Sequence, residues 1–124
     1  MSTVDVQPMG DWSDYAEPVN EKLFQDTVIA LARRYGLLVY HTHDSRRSQP
    51  GFPDLTLVGP GGIAFRELKT TKGKPTMIQM QWLETIALAG GDAGIWRPQQ
   101  LRDGTIRETL ARLRKPRSQP QDAR

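Results

Sequence analysis

The sequence lacks several features that would place it in particular protein classes. It has no cysteine, which excludes a disulfide framework and a thiolate zinc site. No apolar run approaches the roughly 18 residues of a membrane-spanning helix. The N-terminal residues also lack the basic stretch followed by an apolar run that a signal peptide needs. We therefore expect an intracellular, cytoplasmic protein without a membrane partner.

Histidine is scarce as well. His41 and His43 are the only two in the chain, and as alternate residues of a predicted strand they share one face. Two histidines without a third ligand make a poor zinc site. Zinc chemistry is therefore not expected.

What is present suits one small globular domain. The chain has 124 residues, of which 37% are hydrophobic, enough for a single core. Lysine and arginine outnumber aspartate and glutamate by 17 to 14, which gives a net charge of +3 and is compatible with a polyanionic partner without identifying one. We expect a loosely ordered arm over residues 1–19, the domain over residues 20–115 and a disordered basic tail over residues 116–124.

Hydrophobic periodicity predicts an α/β domain with the element order α-β-β-β-α-β-α. The first helix begins after Asn20 and ends at Gly36. Strands are expected at residues 37–43, 54–58, 63–69 and 93–98. A second helix begins after Thr76, and a last amphipathic helix covers residues 103–115. Trp82 and Trp96 are expected in the core.

The stretch PDLTLVGPGGIAFRELK, residues 53–69, organises the rest of the chain. Two apolar runs flank a Gly/Pro turn, and the spacing predicts a hairpin that pairs Val58 with Ile63. In that register Asp54 lies directly opposite Glu67, with the Cβ atoms about 5 Å apart. Lys69, two residues after Glu67, points to the same face. A slip of one residue in the register would undo this geometry.

Two facing carboxylates repel one another, and a divalent cation relieves that repulsion. Hard Mg²⁺ prefers oxygen ligands and keeps several waters, so Asp54, Glu67 and the backbone carbonyl of Leu68 would form an open site for a phosphodiester and an attacking water. Lys69 would orient or deprotonate that water, or offset charge on the phosphate. Glu21 lies at the edge of the apolar face of the first helix.

Each of these residues also has a simpler interpretation. Asp54 suits a turn after a proline, and Glu67 with Lys69 suits a solvated strand face with an ion pair. Glu21 is an acid in the first turn of a helix, where the helix dipole favours it. Gln79 follows a threonine by three residues, the spacing of a capping box. The joint pattern favours the functional interpretation.

Two basic loops flank the hairpin. Arg46, Arg47 and Ser48 precede it and Lys72 and Lys74 follow it, so both loops are candidates for contacts with phosphates. A solvated basic loop is the simpler alternative. The GPGG turn itself is not a phosphate cradle, because it lacks the downstream lysine and hydroxyl residue of a P-loop and opens no helix.

Pro53-Asp54, twelve intervening residues and then Glu67-Leu68-Lys69 resemble the PD-(D/E)xK motif of metal-dependent nucleases. Further stretches extend the resemblance over residues 20–114 to the VRR-NUC family, the virus-type replication-repair nuclease domain; they are NEKLFQ, YHTHDSRRSQPGFPDLTLV, TMIQMQWL and IWRP. The resemblance implies a restriction-endonuclease-like fold with a mixed central sheet and helices on its faces. It also implies dependence on Mg²⁺ or Mn²⁺ and hydrolysis of DNA phosphodiester bonds.

The resemblance assigns roles to particular residues. Asp54 and Glu67 would be metal ligands and Lys69 the catalytic lysine, while Glu21 matches the acidic residue of the first helix that lies near the metal. Gln79 matches the glutamine of the pattern T-x-x-Q-x-x-W-L, where it would face the site.

The resemblance also bears on partners and setting. Small members resemble Holliday-junction resolvases and phage-borne nucleases, which implies a homodimer acting on branched or duplex DNA in a bacterium or a phage-infected cell. A junction, a flap, a nick and plain duplex all stay open as substrates. The alternatives are a non-catalytic DNA-binding or assembly module that retains the fold, and a nuclease directed at RNA.

Overall fold

The computed structural model describes residues 20–42 and 49–117. The helices and strands are α1 (Glu21–Arg34), β1 (Leu38–His41), β2 (Leu55–Gly59), β3 (Gly62–Leu68), α2 (Met77–Leu88), β4 (Asp92–Trp96), α3 (Gln99–Arg102) and α4 (Thr105–Arg114). The predicted order is confirmed, with the one-turn helix α3 as an addition. The predictions for the N-terminal arm, for His43 and for Arg46, Arg47 and Ser48 lie outside the described residues, as does most of the tail.

The four strands form one mixed sheet in the order β1-β2-β3-β4. Strand β2 pairs antiparallel with both β1 and β3, whereas β3 and β4 run parallel. A parallel pair needs a crossover connection, and α2 supplies it. The carboxyl ends of β3 and β4 therefore lie side by side at one end of the sheet, next to the start of β2.

The hairpin has the predicted register. Val58 pairs with Ile63 and Leu55 pairs with Arg66. One step further along the same register places Asp54, the residue before β2, opposite Glu67 near the end of β3. Because Gly59 pairs with Gly62, only Pro60 and Gly61 are left to make the turn.

Helix α1 begins and ends where its capping residues predict. The Oδ1 atom of Asn20 accepts a hydrogen bond of 2.8 Å from the backbone N–H of Leu23. After the helix, Gly36 has a positive φ of 81°. The apolar stripe, with Phe24 and Val28 fully buried, packs against the sheet. The first turn of α1 is thereby held near β3, which α1 contacts.

The core lies between the sheet, α1 and α4. Trp96 is 2% exposed, so its predicted place in the core is confirmed. The prediction for Trp82 is wrong, because this residue is only half-buried. Its ring meets Phe52 edge to face at a centroid distance of 5.3 Å, and its Nε1–H donates to the carbonyl of Pro50 over 3.2 Å. Trp82 thus holds the segment that leads to Asp54 against α2, whose single buried residue is Leu83.

A charged triad ties β3, β4 and α4 together. Asp92 accepts hydrogen bonds of 2.8 Å from the buried guanidinium of Arg66 and from that of Arg112. Burial alone raises the pKa of Asp92, but the hydrogen bonds and charges of Arg112 and Arg66 outweigh it and leave the pKa below its ordinary value. The carboxylate therefore stays ionised and cross-links the three elements.

The glycines of the turn allow the hairpin to approach the end of α4. The N–H of Gly61 donates a hydrogen bond of 2.8 Å to the carbonyl of Leu113. A Cβ atom on Gly61 would lie only 2.2 Å from the carbonyl oxygen of Arg112, closer than any real contact. The GPGG segment is therefore glycine-rich for packing against backbone.

We expect Gly61→Ala to lower the free energy of unfolding by about 1–3 kcal/mol, because the methyl group collides with backbone that has no free rotamer. Gly94→Ala is the matched control, since a Cβ atom at Gly94 meets nothing within 4 Å. It should change the stability by less than about 1 kcal/mol. Urea denaturation of both variants checks this, and equal effects would contradict the close approach at Gly61.

Candidate active site

Asp54 is fixed by the strand it faces. Its Oδ2 atom accepts a hydrogen bond of 2.8 Å from the backbone N–H of Leu68. Pro53 before it is fully buried, and the Asp54 carbonyl accepts a bond of 3.1 Å from the N–H of Thr42 beyond the end of β1. The backbone of β3 therefore holds the Asp54 carboxylate next to Glu67, at the end of the sheet where β3 finishes.

Glu67 is a buried acid whose carboxylate is only partly paired with neighbouring groups. Its side chain is 2% exposed, and its Oε1 atom has no hydrogen-bond partner among the described residues. The other oxygen, Oε2, lies 3.6 Å from the ammonium nitrogen of Lys69. A buried carboxylate oxygen without a partner is costly, and a cation or a proton would relieve that cost.

The two carboxyl groups titrate abnormally. Burial, reinforced by the negative charge of Asp54, raises the pKa of Glu67 to about 8, although Lys69 opposes the shift. Burial also raises the pKa of Asp54 above its ordinary value, against the hydrogen bond from Leu68 and the charge of Lys69. The pair therefore retains a proton near neutral pH unless a cation replaces it.

Lys69 connects the hairpin to α1. Its side chain is 12% exposed, and its Nζ atom lies 3.9 Å from Oε2 of Glu21 at the start of α1. Lys69 follows the last residue of β3, and its N–H donates to the carbonyl of Trp96, so the pairing with β4 extends one residue beyond the strand. Glu67 and Lys69 thus share a face, as the period of a strand predicts.

Glu21 reaches Lys69 but is not part of a carboxylate cluster. Within residues 20–42 and 49–117, no three His, Cys, Asp or Glu side chains lie close enough together to hold a metal ion. The structure therefore brings Asp54 and Glu67 together as a pair and places Glu21 across Lys69 from them. The half-exposed side chain of Glu21 borders the site from α1.

Gln79 lies beside the site and also caps α2. Its Oε1 atom accepts a bond of 2.8 Å from the N–H of Thr76, and its own N–H donates to Oγ1 of Thr76 over 3.1 Å. The capping box is therefore present. A cleft of about 570 Å³ joins Gln79 to Asp54 and is also lined by Thr42, Pro50, Gly51, Phe52, Thr76, Met77 and Ile78.

Of the predicted phosphate contacts, Lys72 and Lys74 fall within the described residues. Both are exposed, in the connection between Lys69 and α2. Sequence reasoning missed Arg97, which follows β4 and hydrogen-bonds to carbonyl oxygens of this same connection. In the sequence, Arg97 is marked only by its place in the stretch IWRP, and this does not reveal a contact with residues more than twenty positions away.

No protein-family model matches this chain, and no curated protein matches it in sequence. A solved structure described as a VRR_NUC domain protein is similar, with a TM-score of 0.61 and 18% sequence identity, and the match covers 82% of this chain and 96% of that chain. At this identity the similarity shows the fold alone. The molecule is an α/β protein with a mixed four-stranded sheet flanked by helices. More particularly, its fold is that of the VRR_NUC domain protein. None of the described helices is long and apolar enough to cross a membrane.

The raised pKa of Glu67 predicts how stability depends on pH without metal. The ordinary pKa is 4.5 and the folded value is about 8. Between these values the folded state holds a proton that the unfolded chain has released, so stability falls as the pH rises from about 4.5 to about 8. In EDTA at pH 8, Glu67→Gln should raise the free energy of unfolding by roughly 1–3 kcal/mol, and the gain should shrink toward pH 4.5.

Urea denaturation across this pH range measures the effect. Asp54→Asn is the matched variant and should gain less, because the Asp54 carboxylate already accepts a hydrogen bond from Leu68. A wild-type pH slope in Glu67→Gln, or a loss of stability at pH 8, would contradict the assigned electrostatics.

Proposed function

We propose that this protein is a metal-dependent nuclease that hydrolyses phosphodiester bonds in DNA. The observation that carries the proposal is the buried Glu67, with an unpartnered Oε1 atom, beside Asp54 and 3.6 Å from the ammonium of Lys69. These three residue types lie at adjoining strand ends in a fold that a VRR_NUC domain protein shares. Strongly shifted pKa values in an open cleft are typical of functional sites.

The residues fit a hard divalent cation. The Oε1 atom of Glu67 has no hydrogen-bond partner among the described residues, and burial raises the pKa values of both carboxyls although Lys69 opposes the shift, which supports binding of a further cation. Asp54 and Glu67, with the carbonyl of Leu68, would hold Mg²⁺ or Mn²⁺, whose preferred ligands are oxygens. When bound, such an ion lowers the pKa of water and offsets charge on a phosphate.

Lys69 is the group of this chain that acts on the reacting atoms. Its ammonium lies within 4 Å of both Glu67 and Glu21, which fixes its position. There it orients the attacking water or stabilises the negative charge that develops on the phosphate. If it loses its proton, it serves as the base for that water. Glu21 contributes by holding Lys69 from the side of α1.

The surroundings of the site support DNA as the substrate. Lys72 and Lys74 are exposed directly after Lys69 and would contact flanking phosphates. Arg46, Arg47 and Ser48, which lie outside the described residues, are proposed as further phosphate contacts. A non-catalytic module that retained the fold would gain nothing from a buried carboxylate without a partner, because such a group only costs stability.

The proposal includes a homodimer acting on branched or duplex DNA. β1 is an edge strand of the sheet, and its alternate residues Leu38 and Tyr40 are 72% and 64% exposed. Exposed apolar side chains along an edge strand favour association with another chain. A dimer would present two sites to two strands of a junction.

We expect Asp54→Ala, Glu67→Ala and Lys69→Ala each to reduce the cleavage rate by on the order of 10²–10³-fold or more, since each removes a group that holds the cation or stabilises the transition state. Cleavage is measured with labelled four-way junction, flap, nicked and plain duplex DNA, and with duplex RNA. Each substrate is incubated in Mn²⁺, in Mg²⁺ and in EDTA.

Glu84→Ala, which removes an exposed carboxylate of α2, is the control and should cleave like the wild type. Turnover near the wild-type level by any of the three site variants, with the fold intact by circular dichroism, would refute the assignment. Cleavage of RNA in preference to every DNA substrate would favour the RNA-directed alternative.

Variants at Gln79 and Thr76 distinguish a substrate contact of Gln79 from its role in the capping box. Gln79→Ala and Thr76→Ala each break one bond of the capping box and should each cost about 0.5–2 kcal/mol of stability. If the amide of Gln79 also contacts the substrate, only Gln79→Ala lowers cleavage, by about tenfold. Urea denaturation and steady-state cleavage are measured side by side, and equal activity in the two variants would leave Gln79 with the cap alone.

A further inference from the structure

Arg97 places its guanidinium inside the turn that follows Lys69. Its Nη1 atom donates to the carbonyl oxygens of Thr70 and Gly73, both over 2.7 Å, with Thr71 at a longer 3.4 Å. The turn is closed by a bond of 3.2 Å from the N–H of Gly73 to the same Thr70 carbonyl. One side chain thus gathers the carbonyls of residues 70–73 around a single cation.

Gly73, at the end of this turn, lies near the stem of Lys69, although glycine has no side chain to contact it. A Cβ atom on Gly73 would lie 3.6 Å from Cδ of Lys69 and 3.1 Å from Oγ1 of Thr70. On the other side of Lys69, its N–H donates to the carbonyl of Trp96 over 3.1 Å. The backbone before and after Lys69 is therefore tied to the end of β4, first through the Trp96 carbonyl and then through the Arg97 side chain.

Arg97 is itself held in place. Its backbone N–H donates to Oε1 of Gln100 over 2.8 Å, which fixes the residue at the start of α3. Among the described residues, Arg97 forms no ion pair with a carboxylate and directs its donors to backbone carbonyls. Arginine suits this arrangement because its planar fork carries five N–H donors in fixed directions, which a lysine ammonium does not reproduce.

We infer that Arg97 is a positioning residue for Lys69. By holding residues 70–73, it keeps the Lys69 ammonium between Glu67, at 3.6 Å, and Glu21, at 3.9 Å. The inference rests on the proposed nuclease function and adds to it a residue that does not touch the substrate. It predicts that a loss at Arg97 lowers kcat and leaves KM and metal affinity nearly unchanged, because misplacement of a reacting group costs rate rather than binding.

The test compares Arg97→Ala and Arg97→Lys with the full-length wild type in saturating Mn²⁺, on whichever DNA substrate the wild type cleaves best. Arg97→Ala should lower kcat on the order of 100-fold with KM changed less than about threefold. The kcat of Arg97→Lys should be about tenfold higher than that of Arg97→Ala, since an ammonium reaches some of the carbonyls. Arg33→Ala is the matched control, because Arg33 is exposed in the last turn of α1, away from the site.

Hydrogen–deuterium exchange supplies a readout that does not depend on activity. In Arg97→Ala, amide exchange should rise over residues 69–76 and stay unchanged in α1 and β2. A rise throughout the chain, with kcat restored by stabilising osmolyte, would make Arg97 a general stability residue and overturn the inference. A rise in KM at constant kcat would make it a phosphate contact and overturn it equally.

The proposed nuclease function and the positioning role of Arg97 are refuted by different results. If the wild type cleaves no nucleic acid in any metal, the proposed function fails, whatever the exchange data show. If the wild type and Arg97→Ala both cleave with kcat values within threefold of one another, the nuclease assignment stands and the positioning role is refuted.

Discussion

The structure depends on one unfavourable interaction, the burial of Glu67 beside Asp54. Burial makes the charged forms of both acids unfavourable, since both pKa values are raised and one Glu67 oxygen has no partner among the described residues. The arrangement persists because surrounding elements impose it. The hairpin turn fixes the register by packing its glycine backbone on α4, and the N–H of Leu68 then fixes the Asp54 carboxylate. The packing of the hairpin turn on α4 thus helps to keep the unfavourable pair of Glu67 and Asp54 in place at the other end of the hairpin.

The buried charge of Glu67 can be compared with that of Arg66, the residue before it on β3. Arg66 points to the opposite face of the sheet, where Asp92 accepts hydrogen bonds from both Arg66 and Arg112. There the charges are matched, and the pKa of the carboxyl is lowered. On the other face Lys69 alone opposes two acids, and the pKa of Glu67 rises to about 8. The same strand therefore carries a structural ion pair on one side and the acidic pair of the proposed active site on the other.

Local patterns in the sequence predicted the parts of this arrangement that local physics decides. The cap at Asn20, the capping box at Gln79 and the hairpin register follow from residue spacing over a few positions, and all three are present. Contacts between distant residues were not predictable in this way. Trp82 has the hydrophobicity of a core residue, but its place is set by a loop 32 positions earlier in the chain, and its indole N–H needs a carbonyl there. The contact of Arg97 with residues 70–73 is equally non-local.

The site is consequently assembled from segments that each have a separate anchor. Asp54 is held by the N–H of Leu68, the start of α1 by its cap and its packing on the sheet, and the backbone of Lys69 by the end of β4. Because the anchors are backbone hydrogen bonds and packing rather than contacts among the charged groups, the charged groups need not stabilise one another. In the proposed site that repulsion would favour binding of a cation, since each carboxylate is already in place and little ordering cost would accompany binding. Burial and the charge of Asp54 raise the pKa of Glu67 to about 8, so a divalent cation bound at the proposed site would compete with a proton near neutral pH.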